Sequence, residues 1–201
     1  MTRQKIQNNL NLSKIYKNSG LMKIIAFAGM PFSGKSEAVK IAQDKKIPVI
    51  RMGDLVWDET KKRKLELNDK NVGFVANEMR QKHGKNIWAR KTVEKIRSMN
   101  VKNLIVIDGV RNLEEIDVFK KELGKDFVVI AIDVSDETRH KRALTRNRKD
   151  DSKDINKIKE RDQRELGWGL GDLIATADIV ITNEGNVEDF KKHVKQVLDG
   201  L

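Results

Sequence analysis

The stretch Gly29-Met30-Pro31-Phe32-Ser33-Gly34-Lys35-Ser36 decides the fold. It satisfies G-x-x-x-x-G-K-[ST] in full, with the apolar run Ile24–Ala28 leading in and an Ala-containing helical pattern leading out. Gly29 and Gly34 permit a tight turn, so backbone N–H groups along Met30, Phe32 and Ser33 can converge on phosphate oxygens; Pro31 shapes the turn without donating. The helix that follows adds its positive N-terminal end. Lys35 is expected on the β- and γ-phosphates and the Ser36 hydroxyl on Mg²⁺. The loop thus predicts binding of ATP with Mg²⁺.

Outward from the loop, short β-rich runs alternate with helical patterns. Strands are expected at Ile24–Ala28, Pro48–Arg51, Leu104–Ile107, Phe127–Asp133 and Ile179–Thr182. They are continuous apolar runs, as in parallel strands covered on both faces. Helices are expected at Ser36–Lys45, Gly53–Lys64, Asn71–Lys82, Trp88–Met99, Asn112–Leu123, Glu137–Arg146 and Val187–Leu198. Strands separated by helices mean βαβ units. The fold class is α/β: a P-loop NTPase fold, with a parallel sheet of about five strands flanked by helices and a basic helical lid.

Composition narrows the partners. The 201 residues carry 41 Lys+Arg against 30 Asp+Glu, a net charge of +11, and no Cys. Absent cysteine removes thiolate metal sites and cysteine nucleophiles, and excess positive charge points to polyanions. The charge is uneven. Residues 1–21 hold +4 and residues 139–164 hold +6, leaving +1 for everything else. A diffuse basic coat that tracks nucleic acid is therefore disfavoured, and a small polyanion is favoured. Residues 1–21 are polar, without the apolar segment of a secretory signal, and read as a basic tail. The domain is expected from Met22 to Leu201, with the lid at about 139–165. No run approaches the roughly 20 apolar residues of a membrane span, so a cytoplasmic protein with no membrane partner is expected.

Phosphoryl transfer depends on positioning and spread positive charge. Asp108 ends the Leu104–Ile107 run, where a carboxylate can reach Mg²⁺ or cap the next helix. Arg51, just before Gly53-Asp54, and Arg111, three residues beyond Asp108, stand at strand tips. Arg142 and Arg146, four apart, share a helical face and are followed by Arg148. The segment 139–164 reads as too polar to bury, hence as a lid closing over phosphates. His83, His140 and His193 read as surface residues, Trp57, Trp88 and Trp168 as packing residues, and Gly167–Gly171 as a hinge or irregular loop.

These residues, in this order, resemble the adenylate-kinase-like P-loop kinases. The shared features are the phosphate loop, a strand followed by Gly53-Asp54, Asp108-Gly109-x-Arg111, and paired arginines opening a lid. The resemblance implies that Gly53 and Asp54 begin an acceptor-binding helix and that Arg111 grips the acceptor phosphate. Arg111 comes one residue early, no Pro precedes it, and Trp57 stands where nucleoside monophosphate kinases often keep an Arg. From Met22 to the C-terminus the chain is similar to an archaeal adenylate-kinase-related family, including Val49–Asp54, Arg161-Asp162-x-Arg164-Glu165-Leu166 and Ala177-Asp178-x-x-Ile181-x-Asn183-Glu184-Gly185. The last run also resembles dephospho-coenzyme A kinases, which implies Asn183 and Gly185 beside the adenine of ATP.

The expected activity is ATP-dependent phosphoryl transfer to a small phosphorylated acceptor, such as AMP. Lys35 and the loop would bind ATP, Ser36 and Asp108 would hold Mg²⁺, and Arg51 and Arg111 would bind the acceptor. Arg142, Arg146 and Arg148 would stabilise the moving phosphoryl group. If the acceptor is instead the ribose hydroxyl of a coenzyme A precursor, a base is required, and Asp54 is the candidate. A reading of another class is an NTP-binding regulator or weak ATPase on nucleic acid, whose binding would fall steeply with salt.

Overall fold

Each of the five apolar runs forms a strand because its β-branched and aromatic residues can be covered on both sides at once. In the computed structural model, residues 22–99, 101, 104–124, 126–145 and 154–201 are described. The tail 1–21, Arg146 and Arg148 lie outside them. The strands are β1 (Lys23–Ala28), β2 (Val49–Arg51), β3 (Leu104–Asp108), β4 (Phe127–Asp133) and β5 (Ile179–Thr182). They form one sheet in the order β2-β3-β1-β4-β5, and every pairing is parallel.

The helices are α1 (Lys35–Asp44), α2 (Met52–Lys62), α3 (Asp69–His83), α4 (Ile87–Ser98), α5 (Leu113–Leu123), α6 (Asp136–Thr145), α7 (Ile155–Gly167), α8 (Leu170–Ala175) and α9 (Val187–Gly200). Alternation along β1 divides the core. Ile24, Ala26 and Ala28 face a cluster with residues of α2, α3, α4, α5 and α8, whereas Ile25 and Phe27 face α1 and α9. The connection from β1 therefore leaves by one face and that from β3 by the other. Phe27 pairs with Asp108 across these adjacent strands. Their loops diverge from one crevice at the carboxyl ends of the sheet, where open α/β folds place ligands.

Four sequence expectations are corrected. The segment 139–164 is not uniformly too polar to bury: Arg139 is 1% exposed, and Asp162 and Glu165 of α7 are buried with it. Pairing makes this tolerable, since the Arg139 fork donates to Asp162 Oδ1 at 3.0 Å and Oδ2 at 2.8 Å. His140 is half-buried for the same reason, its Nε2 lying 3.2 Å from Asp162 Oδ2. Gly167–Gly171 is no loose linker either: Gly167 ends α7, Gly169 (φ 105°) caps α8, and Leu170 is fully buried. Trp88 packs in the core as expected, but Trp57 is 46% exposed. Trp168 carries Arg80 over its ring at 4.5 Å and Arg164 at 5.8 Å.

Candidate active site

The loop between β1 and α1 owes its shape to what its glycines exclude. A Cβ on Gly29 would lie 2.6 Å from Ser33 Oγ and 3.0 Å from the Ile132 carbonyl oxygen. Gly34 adopts φ 99°, and a Cβ there would lie 2.2 Å from Asn183 Nδ2. Both positions demand glycine on steric grounds. Gly34→Ala should therefore weaken nucleotide binding at least about 10-fold and cost about 1–3 kcal/mol in backbone strain alone. Titration with a fluorescent ATP analogue and thermal unfolding measure the two effects.

α1 starts without a side-chain cap, whereas Asn68, Asn112, Asp154 and Asn186 cap α3, α5, α7 and α9. An uncapped helix start in a glycine-bounded loop presents amides to an anion. Ser33 Oγ is buried with no hydrogen-bond partner among the described residues. The cradle and its donors fit a phosphate chain, and the Ser36 hydroxyl with the Asp108 carboxylate are oxygen donors of the kind Mg²⁺ takes. Among the described residues no cluster of three His, Cys, Asp or Glu could hold a metal independently.

Lys35 pairs directly with Asp108, joining the loop after β1 to the end of β3. Burial alone would raise the Asp108 pKa, but Lys35, then Arg111 and Arg51, outweigh it and hold the carboxyl below its ordinary value. Arg51 is placed to act because it pairs in register with Asp108 at the β2–β3 edge. Gly53 and Asp54 follow in the first turn of α2, Gly53 exposed and Asp54 half-buried.

Arg111 is set by a buried support. Glu115 is fully buried, accepts the Arg111 amide at 2.7 Å and faces Arg80 Nη2 at 3.1 Å. Burial pushes its carboxyl pKa up despite Arg80. The Arg111 side chain forms an ion pair with Glu165 at 2.7 Å, so α7 meets the turn after β3. Arg139 also donates to the Pro31 carbonyl at 3.0 Å, which ties α6 to the phosphate loop itself.

These pieces surround an open cavity of about 420 Å³. The whole loop from Gly29 to Glu37 forms one wall, and Arg111, Arg142, Thr145, Arg161 and Glu165 contribute the rest. A second cavity of about 250 Å³ adjoins it, bounded by Gly34, Arg142, Asn183, Gly185, Val187 and Phe190 among others. Asn183 and Gly185 are thus brought beside the loop. Arg51, Gly53 and Asp54 stand at the neighbouring strand end rather than in the cavity lining.

Sequence patterns alone assign no role to Arg161 and Glu165. Their signal is helical: Ile158, Asp162 and Glu165 recur at i, i+4 and i+7 and are all buried. Acids on that stripe require cationic partners from elsewhere, here Arg139 and Arg111.

Residues 28–159 match the sequence profile of a family described as AAA domain. A UPF0200 protein of Methanosarcina mazei is 46% identical over 178 residues, spanning 89% of this chain and 95% of that protein. A UPF0200 protein of Thermococcus onnurineus is 39% identical over 180 residues, 89% of this chain and 97% of that one. The UPF0200/UPF0201 protein of Archaeoglobus fulgidus is 44% identical over 178 residues, but the chain spans only 55% of its length. The crystal structure of TT1252 from Thermus thermophilus shares the fold at 18% identity and a TM-score of 0.62, covering 90% of this chain and 98% of that one. With these matches along most of its length, and with a phosphate loop on a five-stranded parallel sheet, the chain belongs to the UPF0200 family and has a P-loop nucleotide-binding fold.

Proposed function

We propose that the protein is an ATP-dependent phosphotransferase whose acceptor is a small phosphorylated molecule, most simply a nucleoside monophosphate such as AMP. One observation carries this reading: a single cavity holds the phosphate loop on one wall and Arg111, Arg142 and Arg161 on the others. Positive charge on both sides of one cavity suits two phosphate groups brought together, whose charge has to be neutralised.

Lys35 and the loop amides take the β- and γ-phosphates of ATP. Ser36 and Asp108 are the residues that would hold Mg²⁺, which when bound neutralises triphosphate charge. Arg51 and Arg111 bind the acceptor beside Gly53 and Asp54, and Arg142, with Arg146 and Arg148, spreads charge over the moving group. An oxygen of the acceptor phosphate bonds to the γ-phosphorus as the bond from that phosphorus to the bridging oxygen breaks, leaving ADP. An acceptor phosphate is already ionised near neutral pH, so no base is required. α6 and α7 supply Arg142, Thr145, Arg161 and Glu165 to the cavity and act as the lid that excludes water. Among the described residues no helix is long and apolar enough to cross a membrane.

The test is ADP formation from Mg²⁺-ATP in the presence of nucleoside monophosphates and other small phosphate esters. At least one should raise turnover about 10-fold or more above acceptor-free hydrolysis, a gain well within what positioning supplies. Turnover that no acceptor raises would remove the reading. Phosphorylation of a hydroxyl, abolished by Asp54→Asn, would move the assignment to the coenzyme A precursor class.

A further inference from the structure

Asn183 stands just beyond β5, where the two cavities and the phosphate loop meet, and its polar groups are engaged within the protein. Its N–H donates to the Asp133 carbonyl at 2.8 Å, and its carbonyl accepts from Arg142 Nη2 at 2.8 Å. Its Nδ2 donates to the Ser33 carbonyl at 2.7 Å, and its Oδ1 lies 3.5 Å from Arg142 Nη2. The side chain is buried, 6% exposed overall, between the loop and α6.

The Ser33 carbonyl and the Gly34 amide belong to one planar peptide and point in opposite directions. Whatever holds that carbonyl aims that amide. Asn183 holds it at the residue whose φ of 99° turns the chain into α1, and it fills the space that a side chain on Gly34 would take. The same residue fixes Arg142, whose Nη1 is buried and has no hydrogen-bond partner among the described residues. Arg142 borders both cavities.

The geometry points to Asn183 as a positioning residue that sets the phosphate grip and reads no nucleobase. It locks the Ser33–Gly34 peptide with its side-chain amide, while its backbone carbonyl steadies Arg142. Loop and lid arginine are thereby referenced to one point beyond β5. This role rests on the reading that the loop binds a triphosphate.

Calorimetric titration of the full chain with Mg²⁺-ATP, Mg²⁺-GTP and Mg²⁺-tripolyphosphate tests it. Asn183→Ala should weaken all three by a common factor of about 10, the order expected for one buried hydrogen bond that orients a binding group. In the ligand-free protein, amide resonances should shift in the loop and α6 and stay in place across the sheet. If Asn183→Ala does not fold, Asn183→Leu, which keeps the side-chain volume, adds no charge and also lacks the donor, supplies the same comparison. Losing ATP or GTP affinity while tripolyphosphate binding holds would make Asn183 a base reader and overturn the inference, as would unchanged affinities or shifts spread through the sheet. Wild-type protein that binds none of the three would instead sink the phosphate reading beneath it.

Discussion

Lys35→Ala should reduce ADP formation at least about 10²–10³-fold, the cost of deleting one preorganised group aimed at developing charge. The structure adds a consequence for stability. Lys35 is the leading cation on Asp108, and without it burial, already the largest single influence, faces weaker opposition on that carboxyl. In the wild type the folded-state pKa of Asp108 lies below its ordinary value, so the group contributes stability above that value and loses it as pH falls through the folded one. In the variant only Arg111 and Arg51 oppose burial, so the pKa moves upward and this pH-dependent stabilisation shrinks. Lys35→Ala should then lose stability relative to wild type as pH rises from about 4 to 7. A cost of about 2 kcal/mol is expected near neutrality, below a fully buried pair because both side chains keep some solvent contact. Denaturant titrations at the two pH values measure it. A deficit that does not grow with pH would show that Lys35 does not govern Asp108.

The second large effect belongs to Arg139→Ala. Arg139, itself 1% exposed, holds Asp162 through two hydrogen bonds, pairs with the exposed Asp136 and supports the Pro31 carbonyl. Truncation leaves His140 as the neighbour on Asp162 and removes the prop beneath the phosphate loop. Removing one partner of a buried ion pair costs about 3–5 kcal/mol. For a domain of this size that corresponds to a fall in Tm of roughly 10 °C. Limited proteolysis should show α6 and α7 cut before the sheet, because the Arg139–Asp162 pair anchors one helix to the other. Arg139→Lys should recover only part of the stability, since an ammonium cannot present the fork that matches the Asp162 carboxylate. Full recovery by lysine would show that charge alone matters there.

Much of this architecture is legible from the chain. The strands appear within a residue or so of where continuous β-branched runs place them, because a strand covered on both faces has nowhere to put a polar residue. The phosphate loop is legible for a different reason: two glycines, a lysine and a serine at fixed spacing satisfy local steric and hydrogen-bonding demands. Seven helices follow their periodic patterns to within about two residues at most ends. α7 and α8 did not emerge that way. The buried stripe of α7 is written partly in Asp162 and Glu165, and an apolar pattern search discards acids. Their burial is favourable only because Arg139 lies 23 positions away and Arg111 comes from another strand end.

The sequence by itself therefore determined the fold class, the five strands, the loop that receives phosphate and the residue types that could surround it. Local conformation and the one-dimensional pattern of hydrophobicity carry that information. Tertiary structure alone decided which arginines are spent inside the protein and which line the cavity. Arg139 is locked to Asp162, whereas Arg111, Arg142 and Arg161 line the cavity opposite the phosphate loop. It also decided that Asn183 lies against Gly34, 149 residues earlier in the chain. An ion pair or a buried amide is defined by its partner, and the partner's position is a property of the packed fold.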